Sequence, residues 1–456
     1  MPTIPTLKSY NPATGAVLGE VPITDPARIL QLVEKSQNAQ SGWERLGHDA
    51  RNKLLVEAYR DIQSQTEKLA SLITREMGKP FCEGLIEAKS LGSHLEEELK
   101  EIELAVVPET YHDERSSSTV YRDPLGVCAA ITPWNFPLSM PSWMVIPALA
   151  TGNVVILKPS EETPLCGQAF VDILNKHLPK DVLTIVHGAD EQGKQLVKSD
   201  VDLIAFTGSR ETGKDILKSA SRTFKRVMLE MGGKDPMIIL EDADLEKAAR
   251  FAAFNSFRNS GQVCVSTERI FVPEKIAEQF EVLLVEAVAE LKLGDGMSET
   301  TTLGPMVNST QRNHVINQIE DAVREGAKVL LGGGGHKDNF VKPTVLTNVT
   351  ESMSIASDET FGPVACVTRV ASVSEAVQKA NATPFGLGAA VFSENEEKAS
   401  RIARQLSAGM VGINQGVAPS VRGTPWIGAR ESGYGFHKSK DGHRQFTQTR
   451  VVTKRF

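Results

Sequence analysis

From residue 127 onward, short apolar runs alternate with helical stretches, and this rhythm constrains the fold more than any other feature. The runs are Val127 to Ile131, Val154 to Leu157, Leu183 to Val186, Leu203 to Phe206 and Val227 to Leu229. They are continuously apolar rather than alternating, which suits strands buried on both faces of a parallel sheet built from βαβ units. Each ends in residues that can carry chemistry: Thr132-Pro133-Trp134-Asn135, Lys158-Pro159, His187-Gly188 and Thr207-Gly208-Ser209. Open α/β sheets gather ligands at the carboxyl ends of their strands, so this region is the candidate nucleotide domain.

Other segments surround it. Pro26 to Gln40, Arg51 to Met77 and Glu83 to Glu103 read as helices, with Gly78-Lys79-Pro80 stopping the second. A second α/β series begins at Met237 to Leu240, followed by a helix that Asp244 can cap, and continues through Val364 to Val370, Ala389 to Phe392 and Met410 to Ile413. Gly332 to Gly335 reads as a surface loop, since no phosphate-loop lysine follows. Phe446 to Thr453 reads as a terminal strand in need of a partner, which an oligomer can supply.

Bulk properties exclude several classes. A chain of 456 residues, 41% hydrophobic and 23% charged, fits two or three globular domains rather than a disordered chain. Net charge is −7 and no dense Lys/Arg tract occurs, so nucleic acid is not an expected partner. No apolar run is long enough for a membrane span, and the start, Met1 to Pro5, does not read as a leader. Five scattered cysteines without a CxxC pair argue against a metal site or disulfide framework and fit a cytoplasmic setting.

Three segments together point to chemistry on a carbonyl. Cys264 follows a glycine turn, Asn259-Ser260-Gly261-Gln262-Val263, and can act as a nucleophile; alone it also reads as an inert buried hydrophobe. A thiol adding to an aldehyde leaves an oxyanion that needs donors, and the Asn135 amide with the Cys264 backbone N–H can supply two. Glu230 ends a strand-like run before Gly232-Gly233, where partial burial can raise its pKa and fit it to activate a water. Asn135 also reads as a turn residue, and Glu230 as a solvated loop carboxylate. Lys158 and Glu161 can bond ribose hydroxyls, and a carboxylate there repels a 2′-phosphate, favouring NAD over NADP. Phe206 to Gly213 is a strand-to-helix turn with two glycines, a weak phosphate motif.

In order and spacing these segments resemble the aldehyde dehydrogenase superfamily over nearly the whole chain. TPWNFP, LKPSEETP, FTGSRETG, LEMGGKDP, GQVC, ETFGPV, PFGL and SGYG carry the likeness. The resemblance implies Cys264 as nucleophile, Glu230 as general base and Asn135 as oxyanion donor. It implies cofactor contacts at Thr132, Pro133, Trp134, Lys158, Ser160, Glu161, Phe206, Gly208, Ser209, Thr212, Gly213, Glu359 and Phe361. It further implies NAD, with NADP as the alternative, no metal, and a homodimer or homotetramer. The implied fold is α/β: a Rossmann-like NAD-binding domain over 1–104 and 124–233, a catalytic domain over 234–435, and a small β oligomerisation arm over 105–123 and 436–456. Phe136, Met140, Trp143 and Trp426 match tunnel-lining positions and favour an apolar or aromatic aldehyde. Arg258 instead resembles the succinate-semialdehyde branch, where an arginine holds the substrate carboxylate. That branch usually has a second arginine where this chain has Trp143, and Arg422 is a candidate substitute. The chain departs from the family at Pro425-Trp426-Ile427-Gly428, Arg430 and Phe436 to Ser439, which border the tunnel. A CoA-acylating or acyl-phosphate-reducing relative would not need Glu230, and a non-catalytic NAD-binding scaffold would not need all three groups.

Overall fold

The computed structural model describes residues 5–335, 337–417 and 421–456. Residues 1–4, part of the segment read for a leader, lie outside them. A six-stranded sheet forms from the expected runs, in the spatial order Gly433–Tyr434, Arg226–Met231, Leu203–Gly208, Val127–Ile131, Val154–Lys158, Leu183–Ile185. All but the first strand are parallel. The chain steps outward from Val127–Ile131 to Leu183–Ile185, then returns to the other side of Val127–Ile131 with Leu203–Gly208. That reversal opens a crevice between the carboxyl ends of those two central strands, where α/β sheets place ligands. The central strands are buried throughout, except for partial exposure of Ile131 and Gly208 at the carboxyl ends.

A seven-stranded sheet follows, in the order Lys328–Leu331, Thr344–Thr347, Val364–Val370, Thr267–Pro273, Asp235–Ile239, Gly388–Phe392, Met410–Ile413. Only its first strand runs antiparallel. Asp244 caps the helix Leu245–Phe257 by accepting from the Lys247 N–H at 3.1 Å. A third sheet of three antiparallel strands joins Thr447–Arg455, Ser116–Pro124 and Glu109–His112. The terminal strand thus has a partner within its own chain, from Thr447 opposite Pro124 to Arg455 opposite Ser116.

The N-terminal helices are more broken than periodicity suggests. Pro26–Arg45 is continuous, burying Ile29, Val33 and Trp43. The expected helix Arg51 to Met77 is two helices, Gly47–Ser64 and Thr66–Met77. Gln65 leaves helical geometry there (φ −111°), while the Ser64 and Thr66 hydroxyls donate to the carbonyls of Asp61 and Gln63. Such side-chain bonds compete with the helical ladder. Gly78 does stop the second helix, in left-handed geometry (φ 102°). The expected helix Glu83 to Glu103 is likewise Phe81–Ser90 and Leu95–Val106, interrupted where Gly92 takes φ 69°. A short hairpin, Thr6–Tyr10 with Val17–Pro22, precedes them all. The four glycines lie between Lys328–Leu331 and Thr344–Thr347, as the loop reading expects. Among the described residues no helix is long and apolar enough to cross a membrane.

Candidate active site

The two large sheets present opposite ends to one cleft. The first contributes the carboxyl ends of its strands, with Asn135, Ser209 and Glu230 at or just past them. The second contributes the segments entering its strands: Cys264 just before Thr267–Pro273, and Glu359 and Phe361 just before Val364–Val370. The cleft measures about 620 Å³, and Asn135, Glu230, Cys264, Glu359 and Phe361 all line it. Trp134, Phe136, Met140, Trp143, Arg258 and Trp426 line it as well.

Cys264 is placed by a tight turn. Asn259, Ser260 and Gly261 all have left-handed φ, 52°, 56° and 71°. A Cβ on Gly261 would come 2.0 Å from the Gly362 carbonyl oxygen, so only glycine lets the turn seat against the loop that carries Phe361. Behind the thiol, a Cβ on Gly233 would lie 2.8 Å from the Cys264 carbonyl oxygen. Burial and the carboxylates of Glu230, Asp235 and Glu359 push the thiol pKa well above its ordinary value. The resting group is therefore a thiol in need of a base.

Glu230 stands beside it. Its side chain is buried, its Oε1 accepts from the Trp426 Nε1–H at 3.4 Å, and its Oε2 has no partner. Burial pushes its pKa up to about 7. A carboxyl with that pKa exchanges protons readily near neutral pH. Asn135 donates from Nδ2 to the Gln262 carbonyl at 3.0 Å, which leaves one amide hydrogen for another acceptor. Its own carbonyl accepts from Lys79 Nζ at 2.8 Å and Asn259 Nδ2 at 3.0 Å. Lys79 is in turn paired with buried Glu87 at 2.7 Å and sits 4.0 Å from the Phe136 ring centroid. The Cys264 N–H has no acceptor among the described residues.

On the other side Glu359 accepts from the Gly233 N–H at 3.2 Å, and a Cβ on Gly232 would meet its Oε1 at 2.0 Å. Burial pushes Glu359 up to about 8. The loop that bears it is fixed by Glu268, which accepts from the Thr360 and Phe361 N–H groups at 2.8 and 2.9 Å and pairs with buried Lys234. The Phe361 and Trp134 rings meet edge to face, 5.5 Å apart.

Apart from Pro133, Gly208 and Ser209, the remaining expected cofactor residues lie outside the cleft lining. Lys158 is buried at the end of Val154–Lys158, with its Nζ 3.6 Å from half-exposed Glu161. Ser160 follows, accepting from the Glu162 N–H. Thr132 keeps a buried hydroxyl without a partner. Pro133 and Gly208 do line the cleft. Phe206 is a core residue whose ring lies under Gly208. Ser209 caps the helix Arg210–Ala220 through the Thr212 N–H, and Gly213 packs against Met231.

Arg258 lines the cleft with its Nε unpartnered; the nearby Glu83 carboxylate is engaged by the Asn259 N–H. Arg422 does not line it: its side chain faces Glu97 at 3.9 Å, so it is no substitute for a second arginine. A different cation does line it. Lys438 Nζ lies 3.9 Å from the Trp143 ring centroid, and Trp143 meets Trp426 edge to face at 5.3 Å. Sequence reading marked the Lys438 segment only as a departure. The bridge that brings it in, Trp426 opposite His437, joins residues eleven apart on an irregular loop and has no periodic signature. Glu98, Gln311 and His314 are among the other lining residues that sequence reading missed.

Two mainly parallel sheets bring a thiol, a carboxyl of raised pKa and an amide hydrogen into a shared cleft of an α/β architecture. The chain belongs to the aldehyde dehydrogenase family, which matches residues 2–452. It is 38% identical to the glutarate-semialdehyde dehydrogenase of Pseudomonas putida, over 98% of this chain and 94% of that protein. It is 37% identical to the mitochondrial succinate-semialdehyde dehydrogenase of Arabidopsis thaliana, over 98% and 86%. A solved indole-3-acetaldehyde dehydrogenase complexed with NAD+ superposes with a TM-score of 0.95 at 34% identity, covering 99% of this chain and 93% of that one.

Proposed function

We propose that this chain oxidises an aldehyde carrying a carboxylate to the corresponding acid, with NAD as acceptor, through a thioester on Cys264. The observation that carries the substrate class is the unpaired Arg258 guanidinium in the same cleft as the thiol. Arg258 is only partly exposed and makes no close ion pair among the described residues, and a substrate carboxylate offers it a two-pronged fit. The semialdehyde dehydrogenases among the relatives support the reading. The Trp143–Trp426 pair favours the apolar or aromatic aldehydes that the lining alone suggests, and this remains the second reading.

The residues divide the work. Glu230 takes the Cys264 proton as sulfur attacks the carbonyl carbon. The free Asn135 amide hydrogen and the Cys264 N–H receive the oxyanion. Bound NAD supplies the hydride acceptor at nicotinamide C4. When the oxyanion collapses, hydride leaves the former aldehyde carbon and a Cys264 thioester remains. Once that first proton has passed from Glu230 to solvent, Glu230 takes a proton from the water that attacks the thioester; the acid departs and the Cys264 thiolate recovers a proton from Glu230. A water-activating base argues for hydrolysis over transfer to CoA.

The chain's residues fit the dinucleotide. The orphaned Thr132 hydroxyl and the buried Lys158 lie at strand ends near the topological switch, where a ribose can bond them. Glu161 beside Lys158 supports NAD over NADP. The capped start of Arg210–Ala220 suits a pyrophosphate, and Glu359 and Phe361 suit the nicotinamide ribose and ring. The separate sheets support a cofactor domain over 1–104 and 124–233, a catalytic domain over 234–435 and an arm over 105–123 and 436–456, except that the strand Gly433–Tyr434 joins the cofactor sheet. The arm's exposed Tyr111, Val451 and Val452 support assembly into a homodimer or homotetramer. Five free thiols support a reducing, cytoplasmic setting.

The test is kcat/KM on succinate semialdehyde, hexanal and benzaldehyde with NAD, wild type against Arg258→Met. A wild-type preference for the acid that the variant loses is expected. A dominant preference for benzaldehyde or hexanal sinks the substrate class.

A further inference from the structure

We infer that Lys438 is a second, chain-specific determinant of substrate charge, which with Arg258 selects aldehydes bearing a remote carboxylate. Four observations carry it. Lys438 lines the cleft that holds Cys264, and among the described residues its ammonium makes no hydrogen bond or close ion pair. The Trp143 ring face, 3.9 Å away, holds the ammonium in the cleft without neutralising it. Burial lowers the Lys438 pKa while the Glu98 and Glu101 carboxylates raise it, and burial pushes the Glu98 carboxyl up to about 7, so near neutral pH Glu98 balances Lys438 only in part. Finally, Lys438 has φ 58° and ψ 178°, a backbone region that strongly favours glycine. A lysine kept in such a place points to a need for its side chain.

The geometry also explains the placement. Trp426 and His437 exchange backbone hydrogen bonds at 2.9 and 3.0 Å, which fixes the next residue, Lys438, over the Trp143 ring that Trp426 supports. The cation thus stands above the Trp143 ring, in the cleft that also holds Arg258 and Cys264. The inference rests on the reading of this cleft as a dehydrogenase site for carboxylate-bearing aldehydes.

The experiment compares wild type, Lys438→Met, Lys438→Gly and Glu98→Gln on succinate semialdehyde and hexanal with NAD. The readout is the ratio of kcat/KM, acid over neutral aldehyde. Lys438→Met is expected to lower that ratio roughly ten-fold or more, through KM for the acid rather than kcat. Glu98→Gln is expected to raise it, because a competing carboxylate is gone. Lys438→Gly relieves the backbone and is expected to lower the ratio while Tm stays at or above the wild-type value, which separates substrate selection from a structural role. A ratio unchanged in both Lys438 variants overturns the inference while the wild-type acid preference stands. A wild type with no acid preference overturns the underlying substrate reading and the inference with it.

Discussion

The Trp426 indole N–H donates to Glu230 Oε1 at 3.4 Å, and Oε2 has no hydrogen-bond partner among the described residues, so the base is held by one oxygen. Trp426→Phe keeps the ring that backs Trp143 and removes the donor. That donor lowers the Glu230 pKa against the larger effect of burial. The expected result is a pH–kcat profile whose acidic limb moves to higher pH, with the plateau nearly unchanged. A profile superimposable on wild type contradicts the role.

Glu230 also links pH to stability. Its folded pKa of about 7 stands above its ordinary value of 4.5, so the native state holds a proton that the unfolded chain has released between those limits. Stability from this group is therefore full below about 4.5 and is lost as pH rises toward 7 and beyond. Glu230→Gln should raise Tm at pH 8 by a few degrees and change it little at pH 4.5, while slowing turnover by roughly 10²- to 10⁴-fold. Calorimetry at the two pH values checks the sign.

Asn135→Ala removes the oxyanion donor, but the carbonyl contacts from Lys79 and Asn259 are to the backbone and survive. A fall in kcat of about 10²- to 10³-fold with little change in Tm is expected. A large loss of stability with modest loss of rate would instead make the amide structural.

The two glycines near the site should respond differently. Gly232→Ala meets only the movable end of Glu359, so the fold should persist while KM for NAD rises. Gly261→Ala meets the Gly362 backbone and forces alanine to φ 71°, which should destabilise the protein by at least ~2 kcal/mol. Denaturant unfolding and initial rates separate the two.

Much of this was legible in the sequence, because buried parallel strands leave unbroken apolar runs and their ends fall where the chain must turn. Val127 to Ile131 and Leu203 to Phe206 announced both the sheet and the cleft-facing residues after them. The break at Gln65 was not legible, because the apolar spacing continues across it and only local hydroxyl bonds end the helix. Lys438 was hidden for a related reason: its place is set by the bridge between its neighbour His437 and Trp426 on an irregular loop, which has no periodic signature. Arg422 looked equally eligible by charge, and only the fold shows it turned toward Glu97.

Cofactor choice rests on one carboxylate. Glu161→Gln, next to Lys158, should lower KM for NADP markedly while KM for NAD changes less. Equal KM values for both cofactors in the wild type would mean the carboxylate does not face the ribose.

The central claim is that the aldehyde passes through a thioester on Cys264 which Glu230 helps to hydrolyse. Intact-mass analysis of the wild type, acid-quenched early after mixing with NAD and succinate semialdehyde, tests it most directly. The account predicts a mass gain equal to the acyl group, mapped to the Cys264 peptide and absent in Cys264→Ala. An unmodified protein that still forms NADH, or a label on any other residue, would contradict it.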